Sequence, residues 1–375
     1  MKISVIVPIY KNAKFFPDIV GKILANDYED KEIIGVVDGE MTAEIRQAIA
    51  PLTGKVNVYS TGEHLGKAQM LNKFVKNITT DVILFLDNDI LLPTDTSFLS
   101  KLAKEMKAYD VVEMPKEVIV KSIYSAMISY EYLNFAITCS ILSRITKRSP
   151  GVIGSAFAVK KELFDKLGGF RPVVHEDGDF GARAFRLQAR YSYNAELKVK
   201  TDMPNTMAEW LKQRKRWALI NVLWFKDNFL CLMMNVFKRP ALIPAFFLIA
   251  LPSIILFLLF FMLRKFNLAL LLPFLYMNMQ SYQFVSGILL WFSHAVMFSQ
   301  GIVSVSLGLL VSIVIFFGSA RLLKFRFNVF EYALYYFLYA PVLVVITVGM
   351  FILQLANKKI ELDWKIENEN AADRN

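Results

Sequence analysis

From Phe266 to Ala320 the chain carries no Asp, Glu, Lys or Arg for 55 residues, and two further charge-free runs flank this one, Pro240–Leu263 and Tyr332–Asn357. A membrane-crossing helix takes about 20 apolar residues, so each flanking run suits one crossing and the middle run suits two helices and a turn. The expectation is an α-helical membrane domain of about four helices over residues 239–358. Its least regular part is Leu268–Phe292, interrupted by Pro273 and by Asn278, Gln280, Ser281 and Gln283, a pattern that also suits a re-entrant or cavity-lining segment. Orientation stays open. Four crossings starting in the cytoplasm leave Arg264, Lys265, Arg321, Lys324 and Arg326 outside, against the positive-inside tendency; three crossings and a re-entrant segment instead move Lys358 and Lys359 outside.

The first 238 residues read differently. Lys2–Pro8 enters a fold directly, with no apolar leader ahead of it, so this part is expected in the cytosol and the whole as an integral membrane protein. Cys139 and Cys231 are far apart, lack metal-ligand spacing and are expected as free thiols. The net charge of +10 is spread along the chain. Nucleic acid is therefore not an expected partner, whereas anionic lipid headgroups or phosphates are. Residues 359–375 form a polar tail.

Apolar runs at Ile3–Val7, Glu32–Val37, Val56–Tyr59, Val82–Leu86 and Val111–Met114 alternate with helical patterns at Lys14–Ala25, Thr42–Ala50, Lys67–Lys76 and Ser97–Lys107. This βαβα order predicts an α/β fold with a parallel sheet and helices on both faces. The first βα turn, Pro8-Ile9-Tyr10-Lys11-Asn12, has no G-x-G-x-x-G and no P-loop follows any strand, which disfavours dinucleotide oxidoreductases and P-loop NTPases. Val118–Arg144, apolar and aromatic with Lys121, Glu131 and Arg144 between, reads as an interfacial amphipathic helix, with a core helix as the alternative.

Asp87-Asn88-Asp89 closes the run Val82–Leu86. Open α/β sheets bind ligands beyond the carboxyl ends of such strands, and two carboxylates flanking one residue suit a hard divalent cation with a phosphate. A polar turn leaving a strand reads equally well from these residues alone. Asp38, in Val36-Val37-Asp38-Gly39, adds a third acid at the same sheet edge. Gly66-Lys67-Ala68-Gln69-Met70-Leu71-Asn72 opens a helix with unpaired N–H groups and a lysine, suited to phosphate or simply a surface helix start. His175-Glu176-Asp177-Gly178-Asp179 gathers acids before a basic helix, as a proton- or cation-handling site or as ordinary acidic capping. Gln213-Arg214-Lys215-Arg216-Trp217 lies just before the apolar region, where Arg, Lys and Trp are also at home at a membrane interface.

In this order, V-V-D-G, G-K-x-x-x-L-N, D-x-D, E-D and Q-x-x-R-W, followed by apolar helices, the chain resembles the membrane-integrated inverting glycosyltransferases of family 2, such as cellulose, chitin and hyaluronan synthases. The resemblance covers about Ile3 to Trp217. It implies a GT-A type nucleotide-sugar-binding domain over residues 1–205, an interfacial Q-x-x-R-W helix region over 206–238, and a nucleotide-sugar donor, expected to be a UDP-sugar. By the same resemblance Asp38 contacts the base; Asp87 and Asp89 bind the nucleotide diphosphate and Mg²⁺ or Mn²⁺; Lys67, Arg214 and Arg216 meet the diphosphate. Asp177 is the general base, and Gly154, Ser155, Glu176, Gln213 and Trp217 line the acceptor site.

Two departures stand out: His175 where many relatives have Thr, and one Asp in Val37-Asp38-Gly39 where many have two. Neither removes a chemical role. The acceptor is expected to be a glycan, which makes the chain polysaccharide-synthase-like, a choice favoured by the Q-x-x-R-W form. A membrane lipid receiving a single sugar is the alternative, favoured by the compact apolar region. A non-catalytic membrane scaffold or transporter is the alternative of another class. The identity of the sugar and the oligomeric state are not encoded in these motifs.

Overall fold

The structure is a computed structural model of the 375-residue chain and describes residues 1–238 and 283–356. The expected crossing Pro240–Leu263, most of Leu268–Phe292 and the tail 359–375 lie outside the described residues, as does the side chain of Cys231. The chain divides into two units, Met1–Ala245 with Val344–Asn375, and Phe246–Leu343.

In the first unit the elements run β1 (Ile3–Ile9), α1 (Phe16–Leu24), β2 (Lys31–Val37), α2 (Ala43–Ile49), β3 (Asn57–Ser60), α3 (Lys67–Val75), β4 (Val82–Leu86), β5 (Ile90–Leu91) and α4 (Phe98–Ala108). They continue as β6 (Val111–Glu113), β7 (Lys116–Val118), α5 (Ile123–Ile141), β8 (Ala156–Lys160), α6 (Lys161–Lys166), α7 (Glu176–Arg186), β9 (Tyr191–Tyr193), β10 (Val199–Thr201) and α8 (Met207–Lys238). All five strands and four helices read from periodicity are present.

Seven strands form one sheet in the order β3-β2-β1-β4-β8-β6-β9. Alternation along the strands sorts its two cores. Ile3, Val5 and Val7 with Leu84 and Leu86 face α1 and α4. Ile6, Ile83 and Phe85 face α3 and the aromatic residues Phe164, Phe170 and Phe180. At Gly35 a Cβ would lie 2.7 Å from the Phe16 ring, so glycine is what lets α1 seat against β2.

The sheet is mixed, which corrects the all-parallel expectation. β8 runs antiparallel to both β4 and β6. Strand direction follows from where the preceding crossover delivers the chain, and a five-residue apolar stretch carries no sign of it. The consequence is functional: β8 starts where β4 ends, Ala156 pairing with Leu86. The residues just before it, Gly154 and Ser155, are thereby brought beside Asp87.

Val118–Arg144 is a core element and no interfacial helix. Its helix α5 buries 14 of 19 residues, including Tyr130, Tyr132 and Asn134. With burial nearly all round, no apolar face is left to lie on a membrane.

In the second unit the helix Gln283–Leu323 precedes Val329–Leu334, a π-helical turn Tyr335–Tyr339 and the start of Ala340–Leu355, a helix that from Val344 onward belongs to the first unit. Two helices among the described residues, Val305–Leu323 and Val329–Leu355, are long and apolar enough to cross a membrane. The hydroxyls of Ser312 and Tyr332 are hydrogen-bonded to each other in its interior, as buried polar groups in an apolar bundle require. In the first unit Ile346 and Met350 pack on Ala218 and Val222 of α8.

Candidate active site

Because β1, β2 and β4 are parallel neighbours, the residues following them share one edge. There a cavity of about 1270 Å³ opens, lined by Tyr10, Asp38, His64, Lys67, Asp87, Asp89, Gly154, Ser155, Glu176, Asp177, Gln213, Arg216 and Trp217 among others. Of the residues to which the resemblance gives a site role, only Arg214 lies off its wall.

Asp38 is buried, and its carboxylate accepts the backbone N–H of Leu65 at 2.8 Å and of Gly66 at 3.1 Å, with His64 Nδ1 at 2.8 Å. It therefore fixes the loop that starts α3. The ring of His64 stacks on Tyr10, centroids 4.9 Å apart at 25°. Neither aromatic residue was found from sequence, although the Pro8–Asn12 turn that carries Tyr10 was noted for what it lacks.

Lys67, in the first turn of α3, reaches Asp87 Oδ1 at 2.6 Å. Burial opposes its charge, but Asp87, Glu176 and Asp177 outweigh that penalty and hold its pKa above the usual lysine value. The Asp87 N–H donates to the Ser155 carbonyl at 2.8 Å. Asp89 is pushed up to about 7 by burial and by the charge of Asp87. Its Oδ1 is buried without a hydrogen-bond partner. The same is true of Asn88 Oδ1, Ser155 Oγ, His175 Nδ1, Thr201 Oγ1 and Asn205 Oδ1, and all six residues line the cavity. Unpaired buried polar atoms are costly and rare, so a wall that concentrates them is shaped for a polar ligand.

On the same cavity, Asp177 sits in the first turn of α7. Its Oδ2 accepts the Gly154 N–H at 2.7 Å and its Oδ1 accepts the Gly178 N–H at 2.7 Å. At Gly154 a Cβ would meet Asp177 at 2.7 Å; only glycine allows this approach. Glu176 is pushed up to about 7 by burial and by Asp177. Burial lowers the pKa of His175, partly offset by Asp227, whose Oδ2 lies 3.3 Å from Nε2. Trp224 also frames this wall, its Nε1 donating to the Gly178 carbonyl at 3.0 Å.

α8 delivers Gln213, Arg216 and Trp217 to the cavity. Arg214 points the other way, into the contact with α5, where it pairs with Glu131 at 2.7 Å, is 2% exposed and lies 4.4 Å over the Trp217 ring. This corrects the diphosphate role expected for it. Helical geometry explains the difference: residues two apart on a helix lie on opposite faces, so Arg214 and Arg216 cannot both line one site.

Residues 4–168 match the family model for glycosyl transferase family 2, and the chain carries such an enzyme domain. Among curated proteins it is similar to the poly-beta-1,6-N-acetyl-D-glucosamine synthase of Staphylococcus aureus strain COL, 26% identical over 222 residues. The synthase of the same name from Staphylococcus epidermidis is 24% identical over 222 residues. These matches cover 58% of this chain and 53% of each relative, so the chain spans about half the length of the curated relatives it matches. Among solved structures it is similar to the mannosyltransferase PcManGT from Pyrobaculum calidifontis in complex with GDP-Man and Mn²⁺. That likeness has a TM-score of 0.54 at 16% identity, covering 96% of this chain and 88% of the other, and it concerns the fold.

Proposed function

We propose that this chain transfers a sugar from a nucleotide-activated donor, a UDP-sugar in the first instance, to a membrane-proximal hydroxyl with inversion, as a polysaccharide synthase does. The observation that carries this is the placement of Lys67, Asp87, Asp89 and Asp177 on the lining of one cavity. The names of the curated relatives support a glycan product, and the two apolar helices support work at a membrane.

In this reading the base stacks at the Tyr10–His64 wall, which Asp38 holds in place. The diphosphate meets the first turn of α3, which has no side-chain cap, and Lys67; helix N-termini favour such anions. Asp87 and Asp89 fit Mg²⁺ or Mn²⁺. Asp89 offers a buried, unpartnered oxygen, and among the described residues no group of three or more His, Cys, Asp or Glu residues forms a protein-only site. Such ions commonly take one or two carboxylates and complete their shell with substrate phosphates. A bound ion would neutralise charge on the leaving diphosphate.

Asp177 takes the proton of the acceptor hydroxyl as that oxygen bonds to the anomeric carbon. The bond from that carbon to the diphosphate oxygen breaks, and the nucleoside diphosphate leaves with the electron pair. The two backbone amides that hold Asp177 aim its carboxylate and leave further lone pairs for the acceptor. Arg216 places positive charge in the cavity, where it can stabilise the departing group. Trp217, with Gln213 beside it, offers an aromatic face to the acceptor sugar.

The test is transfer itself. Purified protein in lipid nanodiscs, given labelled UDP- and GDP-sugars with Mn²⁺, should produce a ladder of glycan sizes. A single lipid-soluble product would make the chain a lipid glycosyltransferase, and no product from any donor would refute transfer.

A further inference from the structure

Glu113, at the end of β6, and Lys116, at the start of β7, form an ion pair at 3.0 Å with both side chains at most 2% exposed. Neither belongs to the cavity wall. Burying two opposite charges is a poor route to stability, since apolar packing does as well or better. Here the pair holds one residue. Lys116 Nζ donates to the Ile153 carbonyl at 3.0 Å, and the Ile153 N–H donates to Glu113 Oε1 at 3.4 Å. Tyr191 Oη braces the other Glu113 oxygen at 2.9 Å. The next residue, Gly154, donates its N–H to Asp177.

Resting on the transfer reading above, we propose that Glu113 and Lys116 are positioning residues. By gripping both backbone groups of Ile153 they set the Gly154 amide, and through it the carboxylate of Asp177. The ion pair touches no substrate and acts through a backbone amide.

The test uses the full chain in nanodiscs with Lys116→Met, Glu113→Gln and the double variant, and the donor sugar that the wild type turns over. In the single variants, UDP affinity by calorimetry and the donor KM should be unchanged, while kcat falls by about 10²-fold, as expected for a misplaced catalytic group. Amide exchange at Ile153 and Gly154 should rise.

A purely structural ion pair would lower kcat only through the folded fraction, which UDP stoichiometry reports. The double variant, which removes both charges, should regain thermal stability over Lys116→Met without regaining kcat. A kcat that tracks thermal stability across the three variants, or a donor KM that rises as kcat falls, would overturn the positioning role alone. Absence of turnover in the wild type would overturn the transfer reading and this role with it, even with the Gly154 amide still protected.

Discussion

Lys67 Nζ stands 2.6 Å from Asp87 Oδ1 and joins the first turn of α3 to the end of β4. The bond crosses between the two elements at the carboxyl edge of the sheet, and it presents a cation beside carboxylates where a diphosphate would enter. Lys67→Met should weaken UDP binding by about 10- to 100-fold, since a hydrogen bond to a charged group contributes ~1.5–3 kcal/mol. Calorimetry with and without Mn²⁺ measures this; undiminished affinity would remove Lys67 from the diphosphate site.

Asp177 is expected to act only as the acceptor reacts. Asp177→Asn keeps the side-chain shape and can still accept one of the two backbone hydrogen bonds, but it cannot take the acceptor proton. Turnover should fall by ~10²–10⁴-fold, the usual contribution of a general base, while UDP affinity stays near that of the wild type. Single-turnover assays at saturating donor check this, and a variant with unimpaired turnover would place the base elsewhere.

The two arginines of the Q-x-x-R-W segment should separate cleanly. Arg214→Ala removes the buried guanidinium that pairs with the partly buried Glu131 and should cost stability, by ~3 kcal/mol at most. Arg216→Ala should leave the thermal midpoint close to wild type and reduce turnover. Thermal unfolding and steady-state assays on the same preparations read both effects; equal destabilisation by the two would contradict the opposed placement of these side chains.

What periodicity encodes came through. The strands, the helices around them and the acids at their ends follow from alternation and from the rule that ligands gather at carboxyl ends of parallel strands. The direction of β8 did not, because Ala156–Lys160 looks the same read as a parallel or antiparallel strand. Contacts far apart in sequence were equally invisible. Glu131 lies 83 residues from its partner Arg214, and nothing local marks Asp38 as the anchor of the His64 loop. The all-round burial of α5 is not legible either: the charges Lys121, Glu131 and Arg144 among apolar residues read as a half-exposed helix, whereas even the polar Ser129 and Asn134 are buried.

Glu176 makes stability depend on pH. Burial and the neighbouring Asp177 raise its pKa from 4.5 to about 7 in the folded chain. Between those two values the folded state keeps a proton that the unfolded state has released. Stability from this group is therefore fully present below about pH 4.5 and is lost as the pH rises through about 7. Glu176→Gln cannot ionise and avoids the loss. Its unfolding midpoint should thus rise relative to wild type as the pH increases from 4.5 to 8, with most of the change complete just above 7. Thermal unfolding of both proteins across that range, without added metal or nucleotide, gives the difference directly. A difference that stays flat with pH would mean that Glu176 ionises in the folded chain as freely as in the unfolded one, and that the acidic start of α7 is not held in the low-dielectric wall described here.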